Sequence, residues 1–131
     1  RGRVQVVRRY GQLPKVACYA AEVNQVLMNL MRNAAESIDG EGTISVDTSA
    51  CDRGITIAIS DTGRGIPPEQ IPRLFDPGFS RKGPRVRASV SLFTSRNIIE
   101  KHGGEIHVTS QPGAGATFSV LLPLAASAVP A

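Results

Sequence analysis

Glu22-Val-Asn-Gln-Val-Leu-Met-Asn-Leu-Met-Arg-Asn-Ala-Ala-Glu-Ser-Ile38 reads as one long amphipathic helix. Val23, Val26, Leu27, Leu30, Met31, Ala34, Ala35 and Ile38 fall on a single apolar face. Asn29 and Asn33 sit one turn apart on another face, alongside Gln25 and Glu36. An uncharged amide there can offer its carbonyl oxygen to a hard cation that prefers oxygen ligands and phosphates. Asp39-Gly40 is the expected stop, with glycine as the C-terminal cap.

On either side of the helix the pattern changes to strands. Val4-Gln-Val-Val-Arg8 alternates weakly, and Val16-Ala-Cys-Tyr19 reads as a second short strand after the turn at Gly11-Gln-Leu-Pro14. Thr43–Thr48 and Gly54–Ser60 alternate more clearly and should pair through Cys51-Asp52-Arg53. From Gly63 to about Arg87 the chain is rich in Gly, Pro and Arg, with one short helical turn expected at Pro68–Phe75. A loop of that length inside a compact domain usually has a function, often as an active-site lid. Ser95–His102 reads as a helix, and Glu105–Ser110 and Thr117–Leu122 as a hairpin around Gly113-Ala-Gly115. The expected class is α+β: a mixed, mostly antiparallel sheet with helices on one face.

The bulk properties narrow the choices further. A chain of 131 residues is long enough for one real core, and with only 5% aromatics that core must be aliphatic. The net charge of +4 suits an anionic ligand and equally suits an ordinary surface. Arg1, Arg3, Arg8 and Arg9, and later Arg81, Lys82, Arg85 and Arg87, form basic clusters with no interleaved aromatics, which argues against nucleic acid. Cys18 and Cys51 lack metal-ligand spacing and read as reduced thiols. There is neither a signal peptide nor an apolar run of spanning length, so a cytoplasmic location is expected, with a membrane-anchored parent protein left open.

Asp61-Thr-Gly-Arg-Gly65 follows the strand-like run, and places a carboxylate before two glycines. The carboxylate can accept from an amino group, and the glycines allow close backbone approach. Together the Asn-x-x-x-Asn-Ala spelling at Asn29–Ala34 and the Asp61–Gly65 stretch resemble the N box and G1 box of the histidine-kinase ATP-binding domain, the GHKL or Bergerat fold. Pro72–Lys82 is similar to the F box of that family, with Gly78 in place of its first phenylalanine and Ser80-Arg81 in place of two threonines. Gly113-Ala-Gly-Ala-Thr-Phe118 resembles the family's last turn. The matching pieces run from about Val4 to Pro123, and the nearest likeness is to the nitrogen-regulation class of sensor kinases.

The resemblance implies a two-layer α/β sandwich over residues 1–123, followed by a loose tail at 124–131. It implies ATP and Mg²⁺ as cofactors. Asn33 would coordinate the metal that bridges the phosphates, and Asn29 would line the same site. Asp61 would accept from the adenine amino group, with Gly63 and Gly65 shaping the wall. Lys82 would reach a phosphate and Thr117 would touch the nucleotide, while Phe75 and Phe79 would pack under the lid. Related hydrolases such as DNA gyrase and MutL carry a glutamate at the position of Asn29 that activates water. An amide cannot, so phosphoryl transfer is expected rather than hydrolysis. Glu36 departs from the basic residue that many of these kinases carry one turn after Asn33. His102 and His107 read as a helix-terminal residue and a surface residue, and no His-Glu-x-x-x-Pro acceptor motif is present.

The third glycine motif is the main departure. Where the family carries Gly-x-Gly-x-Gly-Leu-Gly-Leu, this chain puts Arg87, Ser89 and Ser91 at glycine positions. Glycines there let backbone N–H groups wrap phosphates, and side chains obstruct that approach. Let each codon take the third base of one residue and the first two of the next. From Arg85 through Leu92 the genetic code then permits Gly-Thr-Gly-Leu-Gly-Leu-Ser. The expectation is a local frameshift restored near Arg96-Asn97, which the DNA decides.

The function that the resemblance implies is the catalytic and ATP-binding domain of a two-component sensor histidine kinase. Such a domain donates the γ-phosphate to a histidine on a separate dimerisation and phosphoacceptor domain, which in turn serves a response regulator. Alone it would be monomeric and incomplete as an ATP:protein-histidine phosphotransferase. The alternative is a degenerate kinase-like module that binds nucleotide weakly or not at all and acts through protein contacts.

Overall fold

The computed structural model describes residues 4–10, 20–76, 86–110 and 113–123. The chain runs β1 (Val4–Tyr10), α1 (Ala20–Glu36), β2 (Gly42–Cys51), β3 (Gly54–Asp61), a short 3₁₀ turn (Pro68–Arg73), α2 (Val86–Lys101), β4 (Glu105–Ser110) and β5 (Ala116–Pro123). Among the described residues five strands form one sheet in the order β1-β2-β3-β5-β4. β1 is parallel to β2, and every other pairing is antiparallel. That exception follows from the connection. A parallel neighbour needs a long crossover, and α1 lies within the one from β1 to β2.

Alternation along the strands sends one set of side chains under the helices. Ile55, Ile57 and Ile59 of β3 and Phe118, Val120 and Leu122 of β5 are buried, while Thr56, Ala58, Ser60, Thr117 and Ser119 face the other way and are half-buried. Val23, Val26, Leu30 and Ala34 of α1 close the core from above, joined by Leu92 and Ile99 of α2. These spacings of three and four are the helical stripe read from the sequence, although Leu27 and Met31 are only half-buried and Ala35 is exposed. Leu30 is fully buried, so its truncation to alanine costs about 2–5 kcal/mol.

Several boundaries differ from expectation, among them the end of β2, which runs on to Cys51. α1 ends at Glu36, and its last turn is closed by Ser37, whose N–H and Oγ both reach Ala34 O, at 3.2 and 2.8 Å. Gly40 instead turns the following loop, with φ +83°. α2 starts at Val86, well before Ser95, because no Gly or Pro interrupts the chain from there to Gly103. Once Leu92, Ser95 and Ile99 are buried, adding turns to an existing helix is easy. β1 extends to Tyr10. The expected strand at Val16–Tyr19, Phe79 and the tail at 124–131 lie outside the described residues.

Candidate functional site

The site is built where β3 ends. Asp61 pairs with Ile44 and Ala116, so it closes the central strand between both neighbours and is buried. Its Oδ1 accepts the Gly63 N–H at 2.8 Å. This is the local side-chain-to-backbone bond that aspartate favours two residues ahead of a donor. Thr62 extends the ladder, with its N–H on Thr43 O at 3.1 Å and its Oγ1 accepting the Thr43 N–H at 2.9 Å.

The loop after Asp61 is gripped from two sides. On the helix side Arg64 N–H donates to Ser37 O at 3.1 Å, and the Arg64 guanidinium reaches the same oxygen at 3.1 Å. A Cβ on Gly63 would lie 2.3 Å from Ser37 Oγ and 2.4 Å from Ser37 O. Gly63 is therefore a glycine because the end of α1 presses on it. Gly65 has φ +75°, a conformation that glycine adopts without strain. On the sheet side Ile66 N–H donates to Ser110 Oγ at 2.7 Å and Gly113 N–H to Arg64 O at 2.7 Å.

Asn29 and Asn33 are both buried on α1, and Asn29 meets α2. Asn29 Nδ2 donates to the buried Ser95 Oγ at 3.1 Å, and Gln25 Nε2 approaches Asn29 Oδ1 at 3.4 Å. Asn33 lies one turn, about 5.4 Å of helix, before Ser37, whose N–H bonds back to Asn33 O at 3.2 Å. Ser37 thereby connects the helix that carries the asparagines to the loop that carries the glycines.

A cavity of about 330 Å³ opens beside the β4–β5 turn, lined by Asp61, Thr109, Ser110, Ala114, Gly115, Ala116 and Thr117. Thr117 borders it, but its hydroxyl bonds to Ser60 Oγ at 2.9 Å on the face of the sheet turned away from α1 and α2. On the β5 side the buried neighbour of Asp61 across the ladder is Ala116. Lys82 lies outside the described residues.

Residues 19–126 match the family model described as "Histidine kinase-, DNA gyrase B-, and HSP90-like ATPase". The chain belongs to this family. Sensor histidine kinase ZraS of Escherichia coli (strain K12) is 38% identical over 112 residues, which cover 86% of this chain and 24% of ZraS. Sensor protein FixL of Bradyrhizobium diazoefficiens is 38% identical over 107 residues, covering 79% of this chain and 21% of FixL. The chain thus spans about a quarter of the length of these relatives. Among solved structures, the catalytic domain of histidine kinase ThkA superposes with a TM-score of 0.81 at 23% identity, covering 96% of this chain and 82% of that one. That likeness shows the α/β sandwich fold. Full-length ShkA, solved with AMPPNP, gives 0.83 at 25% identity over 98% of this chain and 27% of its own.

The structure brings Asp61 and Gly63 together with the Ser37 that closes α1, places Gly65 further along the same loop, and joins Asn29 to α2. It also shows residues that the sequence reading passed over. Ser37, Ser95 and Ser110 each supply a hydroxyl to the frame of the site. Only Ser37, at the end of the helical stripe, had a local signal as a terminating residue. Phe75 is half-buried and meets Phe118 edge-on at 6.3 Å, with the Arg96 guanidinium 5.5 Å from its ring centroid, so it packs into the core beneath α2. His102 is buried with Nδ1 2.8 Å from Ile98 O, and His107 is exposed against Glu105.

Proposed function

We propose that this chain is the catalytic and ATP-binding domain of a two-component sensor histidine kinase. It would bind Mg–ATP and present the γ-phosphate to a histidine on a separate domain of its parent protein, from which a response regulator takes it. The observation that carries this is the buried Asp61 carboxylate at the end of the central strand. Its Oδ1 is fixed by Gly63 N–H, so the group is pre-aimed and its second oxygen can accept from an adenine amino group.

The metal half of the site fits Mg²⁺ through amide oxygen. Among the described residues no cluster of three or more His, Cys, Asp or Glu is placed to hold an ion. The cation would therefore take most of its ligands from phosphate oxygens and water, as Mg²⁺ commonly does, with Asn33 Oδ1 as the protein ligand. Mg–ATP supplies the phosphoryl group, and the protein's part is to position it and stabilise its charge. With an amide at Asn29, no residue at that position can deprotonate water.

One observation favours the second reading, a degenerate module acting through protein contacts. α2 is helical from Val86, so Ser91 and the residues after it have their backbone N–H groups committed to intrahelical bonds. Those groups cannot also wrap a phosphate. Calorimetric titration with ADP and ATP, each with Mg²⁺, separates the two. Binding that is abolished by Asp61→Asn or Asn33→Ala supports the kinase-domain function. No heat and no thermal shift at millimolar nucleotide refutes it in favour of the degenerate module. Steady ATP hydrolysis by the domain alone would contradict both.

A further inference from the structure

Ser110 is the last residue of β4, and its hydroxyl sits between two backbone stretches remote in sequence. Oγ accepts the Ile66 N–H at 2.7 Å and donates its proton to Gly115 O at 3.0 Å. One side chain thus ties the loop that follows Asp61 to the turn that precedes β5. The turn is already tight against Asp61: a Cβ on Gly115, where φ is +87°, would lie 2.0 Å from Asp61 O. Gly113 N–H adds its bond to Arg64 O.

The consequence is mechanical. On one side the loop is pinned to α1 through Ser37, and on the other it hangs from the β4–β5 turn through Ser110 and Gly113. Gly63 N–H, which holds Asp61 Oδ1, directly precedes Arg64, the residue at which the bonds to Ser37 and to Gly113 meet. If the Ile66 anchor is released, the loop can shift, and the carboxylate turns with the N–H that it accepts from. Ile66 is itself buried, so the anchor also seats an apolar side chain in the core.

We propose that Ser110 is a positioning residue for nucleobase recognition. By tying Ile66 to Gly115 it sets the orientation of the Asp61 carboxylate, and with it the preference for a base that bears an exocyclic amino group. This rests on the nucleotide-binding function proposed above. A hydroxyl that served stability alone would, when removed, lower the melting temperature and leave base preference untouched.

The experiment compares ADP with inosine diphosphate, which lacks the 6-amino group, by calorimetry on the wild-type domain, Ser110→Ala and Ser110→Thr. The expected result is that Ser110→Ala reduces the preference for ADP about tenfold, the worth of one hydrogen bond to a charged acceptor. Ser110→Thr keeps the hydroxyl and restores the preference. A wild-type domain that binds neither nucleotide overturns the nucleotide-binding function and this inference with it. A wild-type domain that prefers ADP, with an unchanged ratio in Ser110→Ala, overturns the role of Ser110 alone. Should Ser110→Ala not fold, amide exchange in the wild type decides. Slow exchange at Ile66 that slows further with ADP supports the anchor, and exchange at the unprotected rate overturns it.

Discussion

Replacing Ser95 with alanine tests how the two helices hold the asparagine face. Ser95 is fully buried and its Oγ accepts from Asn29 Nδ2 at 3.1 Å, across a separation of 66 residues. The substitution leaves almost no cavity, so the effect should come from the hydrogen bond. Depriving a buried polar group of its partner costs about 1–3 kcal/mol, and a neutral pair at the long end of the distance range belongs in the lower half, about 1–2 kcal/mol. For a domain of this size that is a drop in Tm of roughly 3–8 °C. Chemical denaturation of Ser95→Ala, Asn29→Ala and the double variant completes the cycle, with a coupling energy of about 1 kcal/mol expected. Ser95→Ala within 0.5 kcal/mol of wild type, with the two changes additive, would refute the reasoning. The same pair bears on function. Ser95→Ala removes only the link to α2, whereas Asn29→Ala also removes the amide itself. A larger loss of ATP affinity in Asn29→Ala than in Ser95→Ala is therefore expected if Asn29 contacts the bound nucleotide or its metal.

Gly63→Ala should destabilise the domain by about 1–3 kcal/mol, because a Cβ there meets Ser37 Oγ at 2.3 Å and the Ser37 carbonyl at 2.4 Å. Adding Ser37→Ala should recover only part of the loss, since the carbonyl stays; an unchanged Tm in Gly63→Ala would show that the loop is not pressed on α1. The Glu105 carboxyl is held below its ordinary 4.5 by the His107 hydrogen bond first and the Arg53 guanidinium second. Its contribution to stability is present above the unfolded-state value and is lost as pH falls through the lowered folded-state one. His107→Gln should raise the Glu105 titration midpoint, read by carbon-detected NMR, and an unmoved midpoint speaks against the bond. The exposed Cys51 thiol is lowered from 9.0 chiefly by its contact with Thr56, so Thr56→Val should slow its alkylation by iodoacetamide near neutral pH; equal rates would exclude that cause.

Much of the fold was legible because it is written in short-range periodicity. The α1 stripe, the alternation in β2 and β3 and the glycine turn before β5 are local patterns with one physical solution each. α2 was legible only in its second half. Its first turns follow a run of Gly, Pro and Arg, and what extends them is burial of Leu92, Ser95 and Ile99 against partners far along the chain. The glycine expected to cap α1 instead turns a later loop, because the Ser37 hydroxyl reaches the Ala34 carbonyl first.

The candidate site divides along the same line. Asn29, Asn33, Asp61, Gly63 and Gly65 were singled out by their likeness to the family's motifs, because amides, a carboxylate and glycines at those spacings are, taken alone, as ordinary on a helix face or in a turn as in a site. Thr117 could not be oriented in advance. In a strand a shift of one residue exchanges the two faces, and the ladder assigns Ala116 to the Asp61 side while Thr117 pairs with Ser60. The residues that hold the site, Ser37, Ser95 and Ser110, carried no functional signature, because a serine hydroxyl acquires a role only from what lies within about 3 Å of it. Sequence alone determined which chemistry is present and which elements carry it. Tertiary structure decided which way each strand residue faces and which hydroxyls lock the loop, because hydrogen bonds between residues 44 or 66 positions apart exist only once the sheet and helices have packed.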